Sequence, residues 1–234
     1  MAVWQECEMK WWYRYKLRMP LVATGPMVSG GAIHAGLEGA LLGKKTVADA
    51  WRVAGNYLGE ENIEKYGPGA KRALEATPSW LWEVEVPQVE LKLEVQLGGH
   101  VVVGKPDLWW VDKDGAFVVE FKSTSDDPSR KLEDYQPLGN PQPLRYAVLV
   151  DKYLEGKLPV YVMHLILSTR GKVCEGAWYP VSRSVLEREE KEMVEIVGRM
   201  ERAPLWHRSW ACGRCEFKEI DEVRVTGGEW EWNM

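Results

Sequence analysis

"VVVGKPDLWWVDKDGAFVVEFKSTS", residues 101–125, is the stretch on which the fold turns. It is apolar and β-branched apart from a turn signal at Asp114-Gly115, so residues 100–124 read as two antiparallel strands. Three charges nevertheless stand in the apolar pattern: Asp107 after Pro106, and Glu120 and Lys122 on either side of Phe121. A charge placed there is costly unless it is paired or binds a metal. Glu120 and Lys122 are two apart and share a strand face. With a two-residue turn at Asp114-Gly115, Asp107 lies opposite Lys122. With a loop from Asp112 to Gly115 it lies opposite Glu120. Either register gathers the three charges on one side, whereas a three-residue loop would separate them unless a bulge restored the register.

Two chemistries suit such a cluster. Close carboxylates repel, and a divalent cation with hard oxygen ligands, magnesium or manganese, offsets the repulsion and activates a water for attack on a phosphodiester. Lys122 would then orient that water or stabilise charge on the transition state. The plainer reading is a lysine–carboxylate ion pair on a solvated sheet face.

Working outward, Trp80 to Val111 alternates like strands, with a second turn signal at Gly98-Gly99. Upstream, residues 1–20 look helical and end at Pro20. Ser29 can cap a helix carrying Ile33, Leu37, Leu41 and Leu42, and a further helix over 46–76 is expected to break at "YGPGA", residues 66–70. Downstream, "PQPLRYAVLVDKYL" reads as a helix, "PVYVMHLILST" as a buried strand, and residues 181–202 as a charged helix. The order predicts an α/β protein with a mixed sheet flanked by helices. Its 234 residues suffice for one well-buried core, read as a helical part (1–78), a sheet core with the active site (79–180) and a C-terminal helix with a cysteine tail (181–234).

No apolar run reaches the roughly 18–20 residues that span a bilayer, and "MAVWQECEMKWWYRY" lacks the apolar centre of a signal peptide, so a cytoplasmic protein is expected, in a prokaryotic or phage-infected cell. The net charge of −5 argues against a simple basic nucleic-acid coat while leaving room for a local basic groove. Thirteen tryptophans serve core packing, or stacking of unpaired bases. Of Cys7, Cys174, Cys212 and Cys215, the last two form a CxxC, a spacing shared by metal chelates and redox pairs.

"GKPD", with "EFKST" beginning thirteen residues after the aspartate, resembles the PD-(D/E)XK nuclease superfamily. Four further segments resemble its RecB-like branch, in the same order: "CEMKWWYRY" near the start, "GGAIH" with Gly30 and His34, "QPLRY" with Gln142 and Tyr146, and "CGRCEF" near the end. The resemblance implies a restriction-endonuclease-like core with the chain ends brought together. It implies that His34, Asp107, Glu120 and the carbonyl of Phe121 hold Mg2+ or Mn2+, that Lys122 is catalytic, and that Gln142 and Tyr146 contact the substrate. Glu38, one turn beyond His34, would support the fold or the histidine. The acid of the first sheet strand would be Glu85, with Glu83 an equal candidate.

The same branch includes members with a 4Fe–4S cluster on one N-terminal and three C-terminal cysteines. Cys7, Cys212 and Cys215 match three positions; the fourth is absent, leaving Asp221 or Cys174 as ligand, or a site without a cluster. The implied function is a DNA exonuclease acting on single-stranded DNA or duplex ends in recombination, replication or CRISPR adaptation. The alternatives are a sequence-specific endonuclease and a non-catalytic DNA-binding or assembly module of the same fold.

Overall fold

The computed structural model describes residues 10, 12–19, 24–134 and 140–200. The chain divides into two units, Thr24–Glu192 and a unit formed by Met1–Ala23 with Met193–Met234. In the second unit a π-helical turn spans Trp12–Lys16, and Tyr13, Met193 and Ile196 are buried. That turn is what the structure describes of the helix expected over residues 1–20.

The first unit opens with two helices, α1 (Gly25–Leu42) and α2 (Val47–Glu75), and a single helical turn, α3 (Trp80–Glu83). Strands β1 (Gln88–Val89), β2 (Leu93–Leu97), β3 (His100–Gly104), β4 (Leu108–Val111) and β5 (Ala116–Thr124) follow. Helices α4 (Pro128–Asp134) and α5 (Gln142–Tyr153) then lead to β6 (Val160–Ser168), β7 (Lys172–Glu175), β8 (Tyr179–Val181) and α6 (Arg183–Met200), whose residues from Met193 on belong to the second unit. The main sheet runs β1-β4-β5-β6-β7, with β8 also on β6; only the β5–β6 pair is parallel, joined through α4 and α5. The fold is the α/β arrangement with a mixed sheet that the sequence predicts.

Alternation along β5 and β6 assigns the two faces. Val119, Phe121, Met163, Leu165 and Leu167 join α1 and α2 in one core, while Val118, Glu120 and Lys122 point to the side covered by α5. On the first face Trp110, Phe117 and Tyr161 stack along one register row, ring centroids 5.2 and 5.1 Å apart, with Trp178 edge-on to Phe117. Three of the tryptophans, Trp80, Trp110 and Trp178, therefore pack on one another.

Several local expectations are corrected. Helix α1 starts at Gly25 with Pro26 in its first turn and Thr24 at the N-cap, so Ser29 lies inside the helix. Helix α2 bends at Gly59 (φ 66°, ψ 177°), a conformation open to glycine, and runs through Pro68 instead of breaking at residues 66–70. Gly67, Ala70, Ala73 and Leu74 are buried beyond the bend, and that packing holds the second segment helical. From Trp80 the chain makes a helical turn and bends before β1 begins at Gln88. Residues 100–104 belong to a separate two-stranded sheet, β2-β3, turned at Gly98 and Gly99 (φ 55° and 85°); Pro106, without an amide hydrogen, lies in the break before β4.

Candidate active site

In the β4–β5 hairpin Val111 pairs with Ala116 and Leu108 with Val119, so the loop is Asp112–Gly115 and the next position of the register sets Asp107 opposite Glu120. Val89 pairs with Leu108, so Glu90 falls opposite Asp107 in the same row, and its amide donates to the Asp107 carbonyl at 3.3 Å. On the other side β6 sets His164 opposite Glu120. One row thus carries Glu90, Asp107, Glu120 and His164 across four strands, with side chains on the face toward α5.

The acids are buried where β4 stops short. Glu120 is 1% exposed and Asp107 8%. Asp107 Oδ2 accepts from the Phe121 amide at 2.6 Å, and its Oδ1 stands 3.7 Å from His34 Nδ1. Helix α1, packed on the opposite face, brings that histidine in, its ring edge-on to Phe121 at 6.1 Å. Lys122 Nζ donates to Glu120 Oε1 at 2.5 Å and to Gln142 Oε1 at 3.2 Å, and Gln142 Nε2 donates to the Tyr146 hydroxyl at 3.2 Å. Helix α5 starts at Gln142, whose amide donates to Asn140 Oδ1, so the first turn of that helix faces the acids.

Burial dominates the electrostatics. It pushes the Asp107 carboxyl up to about 7 against the pull of Lys122, and the Glu120 carboxyl up to about 8, with Asp107 adding repulsion. Glu90 is raised as well, chiefly by burial and in part by the nearby Glu38. Burial lowers His34, leaving a neutral imidazole, and lowers His164 to about 4. Burial raises the Tyr146 phenol, which stays protonated.

The structure brings together His34, Asp107, Glu120, Phe121, Lys122, Gln142 and Tyr146. The acid that stands beside the first strand in this row is Glu90, not Glu85 or Glu83. Glu83 is exposed on α3 and Glu85 exposed in the bend after it. The pattern "PQVE" held the signal: Glu90 directly follows a short strand that begins after a proline. His164 was also missed, because a histidine within "VYVMHLILS" reads as core. Cys7, Cys212, Cys215 and Asp221 lie outside the described residues. Cys174 is a half-buried free thiol on β7, paired with Ile166.

The donor set fits a hard divalent cation. Glu120 Oε2 is buried without a hydrogen-bond partner, a costly state that a cation would relieve. Among the described residues no three His, Cys, Asp or Glu side chains are already gathered as a metal-holding group. Lys122 occupies the other Glu120 oxygen, and the Phe121 amide engages Asp107 Oδ2.

The family model of the PD-(D/E)XK nuclease superfamily matches residues 2–220. A solved structure titled "Crystal structure of SSO0001" is similar at a TM-score of 0.37 and 16% identity, over 91% of this chain and 94% of that one. No curated protein matches the sequence. Among the described residues no helix is long and apolar enough to cross a membrane.

Proposed function

We propose that this chain, which belongs to the PD-(D/E)XK nuclease superfamily, hydrolyses DNA phosphodiesters with a divalent cation held by Asp107, Glu120, His34 and the Phe121 carbonyl. The observation that carries the reading is Glu120: a carboxylate buried beside a second one, with one oxygen unpartnered and a lysine on the other. Bound there, magnesium or manganese supplies a Lewis acid for the phosphoryl oxygen and a water acidic enough to attack near neutral pH. Asp107 and Glu120 must give up protons to act as ligands. Lys122, whose ammonium donates to Glu120 Oε1, would stabilise charge on the phosphoryl group. Gln142 and Tyr146 hold the lysine in place and present amide and hydroxyl donors to the substrate backbone.

The finer reading is an exonuclease of the RecB-like branch acting on single-stranded DNA or duplex ends, in recombination, replication or CRISPR adaptation. Its support is the order of the five motifs in the sequence. A 4Fe–4S cluster on Cys7, Cys212 and Cys215, with Asp221 or Cys174 as the fourth ligand, belongs to the same reading, and iron content with visible colour after anaerobic purification tests it. End-labelled single-stranded and duplex DNA, incubated with Mg2+, Mn2+ or EDTA, tests the activity. The expected result is shortening from an end with either metal and none in EDTA. DNA left intact with both metals would overturn the proposal.

A further inference from the structure

Along the seam between α1 and β5 a cleft of about 620 Å3 opens beside the acidic site. Its place follows from two steps taken in the same direction. Gly30 lies one turn before His34, about 6 Å along the helix axis, and Ser123 lies two residues after Phe121, about 7 Å along the strand. The absent Cβ of Gly30 is what lets them meet: a carbon there would stand 2.7 Å from Ser123 Oγ. From that point the cleft widens between the N-terminal turns of α1, the segment of α2 after its bend, and the ends of β5 and β6.

The lining differs in charge from the rest of the chain. Lys65 and Arg72 contribute two cations; Ser123, Ser125 and Thr169 are among five serine and threonine side chains; and none of the described residues that line it is Asp or Glu. In a chain with 35 acidic and 30 basic residues, a cleft free of carboxylates attracts anions. Lys65 and Arg72 are both exposed. Arg72 is aimed by its Nε, which donates to the Thr169 carbonyl at 3.0 Å, and the Lys65 ammonium lies 5.1 Å from the centre of the half-buried Tyr66 ring. Cations, hydroxyls and an aromatic ring in one trough are the elements that track a single strand, the cations and hydroxyls on phosphates and the ring on a base. The volume falls within the range of small-ligand pockets; it admits a nucleotide or two and not a duplex.

We propose that this cleft binds the backbone of single-stranded DNA one or two nucleotides from the scissile phosphate, with Lys65 and Arg72 on phosphates and Tyr66 against a base. The assignment rests on the nuclease reading for its direction toward Lys122, but it is measured separately. The full-length chain in EDTA is titrated with a fluorescent single-stranded oligonucleotide and with a blunt duplex, following anisotropy over a series of salt concentrations. Lys65→Gln with Arg72→Gln is expected to weaken single-strand binding at least about tenfold and to reduce the salt slope by about 1.4, two phosphate contacts at about 0.7 each. Lys113→Gln with Lys157→Gln removes the same charge outside the cleft and is expected to leave affinity unchanged. Ser125→Lys, adding a cation at an exposed lip, is expected to tighten binding several-fold and does not depend on the Arg72 bond. Unaltered affinity in the Lys65/Arg72 variant, equal loss in the Lys113/Lys157 control, or equal loss for duplex and single strand would overturn the cleft. Failure of the nuclease reading would appear instead as wild-type protein that binds DNA and does not cut it with metal.

Discussion

At the scale of single residues, the site depends on what burial does to carboxyl groups. Asp107→Ala or Glu120→Ala removes a proposed ligand, and the expected outcome in a cleavage assay is loss of activity with DNA affinity retained, since affinity comes from cations elsewhere. Lys122→Met should slow single-turnover cleavage by about a hundredfold or more, the order lost with one transition-state stabiliser, while calorimetry shows metal affinity kept. His34→Ala should raise the metal concentration needed for half-maximal activity, because a neutral imidazole is lost as ligand. Asp107, Glu120 and Lys122 were legible in the sequence because a charge inside an apolar run needs a reason. Residues His34, Gln142 and Tyr146 stood out only through motif order, since each alone fits an ordinary polar helix position. Glu90 was hidden for a different cause: it follows a strand of two residues, too short to show a period, and has positive φ (49°).

At the scale of elements, the site exists because α1 can approach both α2 and the sheet. A carbon on Gly36 would stand 2.7 Å from the Ala50 carbonyl oxygen of α2, a backbone atom with little room to give. Gly36→Ala is accordingly expected to destabilise the protein by about 1–3 kcal/mol, as overpacking does, measured by denaturant unfolding. Metal affinity should be kept in the fraction that remains folded. Long elements were readable: α5, β6 and α6 carry enough periods for pattern to decide. The misread places are those where tertiary contact overrules local preference. Helix α2 continues through Pro68 because its flank is buried, and it bends at Gly59, where a side-chain carbon would meet nothing within 4 Å. The β2–β3 hairpin has the strand pattern expected of it, yet joins no strand of the main sheet. Pattern gives alternation and not partners.

At the scale of the whole molecule, the acidic row couples stability to pH and to metal. Asp107 and Glu120 hold their protons to about 7 and about 8 in the folded chain, against about 4 when unfolded. Between those limits the folded state binds more protons than the unfolded one, so stability of the metal-free protein falls as pH rises through the window. Thermal melts in EDTA should show a falling Tm from about pH 5 to about pH 8.5, with a flatter profile for Asp107→Asn combined with Glu120→Gln. A divalent cation that binds only the folded form restores stability, most of all at high pH, where fewer protons compete. The mixed α/β architecture could be read from element order; this coupling could not, because it needs the depth at which each carboxyl sits. Isothermal titration of Mn2+ into the full-length wild type and Glu120→Gln, at pH 7 and at about pH 8.5, tests the metal site most directly. The account predicts binding to the wild type that is tighter at the higher pH and releases protons at pH 7, and no binding at this site in Glu120→Gln. Equal affinity in the two proteins, or no heat from the wild type at either pH, would contradict it.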